Sequence, residues 1–287
     1  MPNNSGTVRL SWECIDGARI AVVTLSRPDK LNALTLTMLR QLSDISRTLK
    51  QDREVRAVII EGDGPSFCAG LDFGKALSHP TEAFRGFIPG WDGVNIFQRA
   101  CWGWRRVPVP VIAAVQGHCY GGGLQIALGA DIRVTAPDAK WSVLEGRWGI
   151  IPDMSGMRLI TDAVGPGQTT WLAMSAEEVS GDRAAEIGLA THRAEDADSV
   201  SARARELAVQ LAQRSPDQLA GVKTLMRNAH RSPLATFRQE RLVQVGLLLR
   251  ENTGRAQRAT LNKVAPVFAP RATWSARLTG RKKSAKK

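Results

Sequence analysis

The chain has 287 residues, 43% of them apolar, enough for a packed core in one large or two small domains. No run approaches the roughly 18 continuous apolar residues of a membrane span, and the start MPNNSGTVRL lacks the charged-then-apolar order of a secretory leader, so a cytoplasmic location is expected. Of the formal net charge of +12, seven positive charges lie in 271–287 without a single acid, which leaves +5 for 1–270. The ending RKKSAKK reads as a disordered solubilising tail, with binding to nucleic acid or an anionic surface as the alternative, and the milder excess elsewhere suits a small polyanionic ligand.

Residues 18–26, ARIAVVTLS, are β-branched and apolar and predict a strand, which RPDKLNA ends. From Thr35 to Lys50, Met38, Leu39, Leu42, Ile45 and Leu49 recur at three- and four-residue steps and predict a helix with one apolar face. VRAVIIEG (55–62) predicts a buried strand closed by the loop GDGPSFCAGLDFG. In 76–106 the pairs His79-Pro80, Pro89-Gly90 and Asp92-Gly93 predict a long loop, a candidate cover for a binding site, followed by the amphipathic VNIFQRACWGWRR. VPVIAAVQG (109–117) is a further strand, LQIALGA is helical, DIRVTA and KWSVLE are short strands, and helical patterns run from Gly156 to Asn262. Strands alternating with helices over 8–145 predict an α/β domain.

Cys14, Cys68, Cys101 and Cys119 form no C-x-x-C pair and read as free thiols, and the four histidines show no H-E-x-x-H spacing, so no metal centre is expected. Gly121 to Gly123 fit neither phosphate fingerprint: Ile126 stands where a dinucleotide motif needs its third glycine, and the chain has no Gly-Lys-Ser/Thr. Two turns share a layout instead. SFCAGLDF (66–73) follows the strand at 55–61 and GHCYGGGLQ (117–125) follows the strand at 109–115. If those strands are parallel and close, one N–H from each turn converges on a single oxygen, which makes an oxyanion hole. Glycine would let a carbonyl group approach where a side chain would block it.

RPDKLNAL, SFCAGLDF, GHCYGGGLQIALGADI and EGRWGIIPDMSGMRL, in this order, resemble the signatures of the crotonase superfamily, the enoyl-CoA hydratase/isomerase family, over about residues 7 to 268. The resemblance implies an α/β spiral of ββα units over 1–200 and a helical segment at 201–268 used in trimer or hexamer assembly, to which the charge pattern adds a basic, disordered tail at 269–287. It implies acyl-CoA thioester substrates, with coenzyme A as part of the substrate and no other cofactor. The two N–H groups that hold an enolate oxygen in the family map to Leu71 and Gly122. Lys30, Leu31 and Ala33, with Ala69, Gly70, Leu71, Asp72 and Phe73 and with Tyr120, Gly121 and Gly122, would bind the substrate and its CoA moiety. Of the two hydratase glutamates, the first falls at Gln125, which carries no proton, and the second at Glu145. Asp153, eight residues beyond, matches the second member of the acidic pair in dienoyl-CoA isomerases.

These residues place double-bond isomerisation ahead of hydration, with Glu145, Asp153 and Gln125 as the catalytic set. A catalytically silent fold that binds RNA or a surface through its tail is the third reading, favoured if Glu145 points away from the glycine turns. Each residue has a plainer use. Glu145 would pair with Arg147 or cap local structure, Asp153 would cap a helix starting near Met154, and Asp72 would serve a turn or a cap. Asp131 would satisfy backbone or Arg133, Gln125 would make a structural hydrogen bond, and His118 would pack a loop. Ser66 lacks the second glycine of a G-x-S-x-G elbow. The six tryptophans between 91 and 171 are expected in the core, with an acyl or aromatic pocket as the alternative.

Overall fold

The computed structural model describes residues 6–72, 74 and 80–273. It begins with a hairpin of β1 (Thr7–Ile15) and β2 (Ala18–Ser26), antiparallel about Asp16 and Gly17, both at positive φ. Burial differs between the two strands. β1 is an edge and buries only Val8, whereas β2, inside the sheet, buries Ile20 to Val23 and Leu25. Thr35 Oγ1 accepts from the Met38 N–H and opens α1 (Leu36–Gln51), whose Met38, Leu39, Leu42 and Leu49 are buried as the three- and four-residue spacing predicts. β3 (Ala57–Gly62) then lies parallel to β2.

The region read as a long loop holds two helices, α2 (Pro80–Phe87) and α3 (Ile96–Arg105). α3 is the amphipathic segment expected there, while α2 has no counterpart in the sequence reading. His79-Pro80 suits a turn, but proline at the first helical position, with φ already set and no N–H to lose, also opens a helix. Phe84 and Phe87 on α2 are exposed. α3 packs on α1 closely enough that a Cβ on Gly103 would stand 2.5 Å from Ser46 Oγ.

Next come β4 (Val111–Val115), β5 (His118–Tyr120), α4 (Gly122–Gly129), β6 (Ile132–Thr135) and β7 (Lys140–Ser142). Every residue of α4 is buried, consistent with a sequence apolar on all sides. α5 (Gly156–Ser175) breaks at Gly165 (φ 77), which precedes Pro166. It is followed by β8 (Glu178–Ser180), α6 (Gly181–Ile187), β9 (His192–Arg193), α7 (Val200–Ala212), α8 (Pro216–Arg227), α9 (Pro233–Leu248) and α10 (Glu251–Leu261). The main sheet has the order β1-β2-β3-β4-β6-β9, parallel except for its first pair, and β5-β7-β8 form a small second sheet. The strands of β8 and β9 interrupt the stretch read as helical.

Trp104 and Trp141 are in the core, but Trp91, Trp148 and Trp171 are exposed, which corrects the core assignment for those three. Residues 269–273 of the segment read as tail are part of the fold: Arg271 is buried and donates to the carbonyls of Lys50 and Asp52, and the Ala272 N–H donates to Asp217. Residues 274–287 lie outside the described residues. Among the described residues no helix is long and apolar enough to cross a membrane. All four cysteines are free, and burial pushes the Cys68 thiol up to about 12.

Candidate active site

β3 and β4 are adjacent and parallel, so the two glycine-bearing turns leave the sheet side by side. Cys68 N–H donates to His118 O (2.8 Å) and Tyr120 N–H to Cys68 O (3.0 Å), which joins the turns on one side. On the other side, Ala69 N–H donates to Leu31 O, Leu34 N–H to Gly70 O and Asp72 N–H to Leu34 O. The Leu71 N–H and the Gly122 N–H, the latter in the first turn of α4, donate to no protein acceptor among the described residues. Their neighbourhoods touch: a Cβ on Gly70 would stand 3.0 Å from Tyr120 O and 3.7 Å from the Gly122 nitrogen. Two positions need glycine outright. Gly121 has φ 47, and a Cβ on Gly123 would stand 2.5 Å from Cys68 O.

The segment 31–34 that braces these turns is held by Asn32 and Arg27. Asn32 is fully buried in the left-handed region (φ 57), which asparagine tolerates better than most residues. Its Nδ2 donates to Asp63 O and Ser66 O, and its Oδ1 accepts from the Arg27 N–H. Arg27, also buried, donates to Ala33 O and pairs with Asp72 at 2.8 Å, so Asp72 serves the turn. The sequence signal for this hub is an asparagine after a Pro-Asp turn, because two of its partners, the carbonyls of Asp63 and Ser66, lie over 30 residues away.

Glu145 sits in a 3₁₀ turn, Leu144–Trp148, directly after β7 and faces the glycine turn: a Cβ on Gly121 would stand 3.2 Å from its Oε1. Gln125 Nε2 donates to Glu145 Oε1 at 2.5 Å, while Glu145 Oε2 and Gln125 Oε1 are buried without a hydrogen-bond partner. The pairing of Glu145 with Arg147 therefore does not occur. Burial pushes the Glu145 pKa up, with a smaller push from the Asp153 charge, against hydrogen bonds from its own backbone N–H and from Gln125. Burial also raises Asp153. α5 begins at Gly156 behind an N-cap Ser155 at φ 72, so Asp153 does not cap it, because two more turn residues separate it from the helix.

Glu145 and Asp153 line one cavity of about 570 Å³ together with Ala69, Gly70, Leu71, Gly121 and Gly122. Phe87, Phe97, Trp148, Ile150, Ile151 and Met154 make much of the remainder. Gln125 stands behind Glu145, against Gly156, where a Cβ would meet its Oε1 at 2.4 Å. The site thus offers two unengaged N–H groups and two carboxyls of raised pKa beside an apolar chamber. A carbonyl oxygen held by the N–H pair gains stabilisation as it takes up negative charge, and a carboxylate nearby can accept a proton from the adjacent carbon.

Leu31 and Ala33 run beside the 69–72 turn without lining the cavity, and Lys30 is exposed on a 3₁₀ turn. Tyr120 turns its hydroxyl to Glu178 and its ring edge to His118. Phe73 lies outside the described residues. His118 Nδ1 meets Ser66 Oγ at 2.9 Å, a loop contact as expected. Asp131 accepts from the Val111 N–H at 2.8 Å, the backbone use expected of it, and its ion pair is with Lys223 at 2.6 Å. No group of three or more His, Cys, Asp or Glu side chains that could hold a metal ion occurs among the described residues.

The profile of the enoyl-CoA hydratase/isomerase family matches residues 16–252. The short-chain-enoyl-CoA hydratase of Clostridium acetobutylicum is 34% identical over 199 residues, which cover 69% of this chain and 74% of that protein. The mitochondrial Delta(3,5)-Delta(2,4)-dienoyl-CoA isomerase of Dictyostelium discoideum is 27% identical over 225 residues, 77% of each chain. The crystal structure of an enoyl-CoA hydratase from Polaromonas sp. JS666 superposes with a TM-score of 0.82 at 27% identity, covering 92% of this chain and all of that one. A crotonase fold with its N–H pair and carboxylate in one cavity agrees with these likenesses: the chain is an enzyme of the enoyl-CoA hydratase/isomerase family.

Proposed function

We propose that the enzyme moves a carbon–carbon double bond within an enoyl-CoA thioester. Glu145 Oε2 takes the allylic proton, the Leu71 and Gly122 N–H groups hold the dienolate oxygen, and Glu145 or Asp153 returns a proton at the other end. The observation that carries this reading is the cavity wall: Glu145 and Asp153 are both in it, whereas Gln125 is behind Glu145 with its N–H spent on Oε1. Hydration in the hydratase manner needs two proton-carrying groups about one water. Here the first of those positions holds an amide that does not line the cavity. Lys30, Leu31 and Ala33, with Ala69 to Asp72 and with Tyr120 and Gly121, are assigned to the CoA portion, whose phosphates suit the net positive charge of the body.

Purified enzyme incubated with 2-enoyl, 3-enoyl and 3,5-dienoyl thioesters, followed by product analysis, tests the reading. Interconversion of double-bond positions is expected to outrun water addition. Rapid hydration of the 2-enoyl thioester without isomerisation of the others would overturn it. The active form is proposed to be a trimer or a dimer of trimers, because α9 exposes Leu234, Phe237, Val245 and Leu248, an apolar face that assembly would cover. Light scattering should give three or six times the chain mass of 31.2 kDa. A stable monomer at micromolar concentration would refute it.

A further inference from the structure

The start of α3 sets two polar side chains into the cavity wall on either side of Phe97. Asn95 and Gln98 both line the cavity and together form a capping box: the Gln98 N–H donates to Asn95 Oδ1 at 2.9 Å and the Asn95 N–H donates to Gln98 Oε1 at 3.1 Å. The box fixes which way each amide faces, because both side-chain carbonyl oxygens are held by backbone N–H groups. The Asn95 Nδ2 and Gln98 Nε2 groups are left over. Among the described residues neither donates to a protein acceptor, and neither is a sealed buried atom. Glutamate at the second position would complete the same box, so capping alone does not call for an amide at 98. The surroundings are Phe87, Phe97 and Ile151, apolar groups that leave these two amides as local donors. Glu145 and Asp153 share the cavity, so an anionic acyl group there would face two carboxyl groups in a poorly solvated space.

We infer that the acyl group of the substrate carries a neutral acceptor oxygen, a ketone on an otherwise apolar chain, and that Asn95 Nδ2 and Gln98 Nε2 select it. This deepens the acyl-CoA reading above and rests on it. Two donors match the two lone pairs of a ketone, and an unsubstituted hydrocarbon chain would leave both unpaired on closing the site, which costs more than the bond itself contributes.

Titration calorimetry on the full chain, with octanoyl-CoA and its 5-oxo, 6-oxo and 7-oxo counterparts, reads affinity without turnover. At least one oxo isomer is expected to bind about two- to tenfold tighter than octanoyl-CoA, the range of one net hydrogen bond. In Gln98→Glu, which keeps the box acceptor but has no N–H, and in Asn95→Ser with Gln98→Met, which keeps the cap oxygen, that ratio is expected to fall to one or below. Reading a ratio cancels any general loosening of the helix. Octanoyl-CoA binding with no oxo isomer tighter would overturn the inference alone, as would a preference that survives the double substitution. Failure of every thioester to bind would overturn the acyl-CoA reading and this inference with it.

Discussion

Glu145 is a buried carboxyl group with one oxygen engaged by Gln125 and the other bare. Its folded pKa lies above the ordinary glutamate value, chiefly through desolvation, so the folded state binds this proton more readily than the unfolded chain. Stability from this group is therefore lost as pH rises from the unfolded pKa, about 4.3 for glutamate, through the raised folded one. Glu145→Gln removes the penalty and keeps an oxygen for Gln125 Nε2. It is expected to lower turnover by about 10²–10⁴, the range for a general acid–base residue, and to raise the melting temperature at pH 7, with the gain shrinking near pH 4. A substitution that costs turnover and also destabilises at pH 7 would contradict this account. Gln125→Glu sets a second carboxylate against the first and should move the acidic limb of the pH–rate profile upward. An unmoved limb would mean that Glu145 does not report there. Neither role was legible from charge or spacing. Gln125 and Glu145 are 20 residues apart in sequence and meet only because β5 and β7 pair in parallel. The position of Glu145 came from its motif, and the link to Gln125 came from the fold.

At the scale of elements, the site depends on how closely α4 can approach the 66–72 turn. Gly123 sets that distance, and Gly123→Ala would place a methyl group 2.5 Å from Cys68 O, a backbone atom that cannot swing aside. Overpacking of this kind costs about 1–3 kcal/mol. The larger effect should be on rate, because the strain separates the Leu71 and Gly122 N–H groups, and loss of one good oxyanion donor costs about 10²–10³. A folded Gly123→Ala enzyme with full turnover would show that the two turns need not touch. The elements that build this contact were readable where periodicity had length to act: α1 shows its apolar face over four turns, and β3 and β4 are unbroken apolar runs. The two glycine turns were readable as a pair because each follows such a strand. The failures are short pieces. β8 and β9 have three and two residues, too few for any period, and α2 opens on a His-Pro pair that suits a turn equally well. Asn32 hides for another reason, since its importance lies in the carbonyls of Asp63 and Ser66, which nothing in its own neighbourhood announces.

At the scale of the whole chain, positive charge at the C-terminal end served as a guide to disorder, and it misjudged Arg271. Counted with six further Lys and Arg residues of 274–287, it looked like part of a solvated run. In the fold its guanidinium satisfies the carbonyls of Lys50 and Asp52 at the end of α1, its own carbonyl accepts from Arg53 Nε at 2.6 Å, and its N–H donates to Arg53 O. Beside it, Asp217 is buried at 1% exposure and accepts from Asn252 Nδ2 and from the Ala272 N–H, both at 2.8 Å. Residues 269–272 therefore close the junction between α8, α10 and the end of α1, and a buried carboxylate there depends on them. Two truncations separate this strap from the charge beyond it. Ending the chain after Thr273 removes six positive charges and should leave the melting temperature nearly unchanged. Ending it after Phe268 removes one of the two hydrogen-bond donors to Asp217 and all the Arg271 contacts, and an unsatisfied buried group costs about 1–3 kcal/mol, more when charged. At about 2–4 °C for each kcal/mol in a domain of this size, the shorter chain should melt several degrees lower. Asp217→Asn distinguishes the causes: if the stranded carboxylate is what destabilises the shorter chain, adding this substitution should recover part of the loss, whereas equal melting of all three would show that the strap carries no stability.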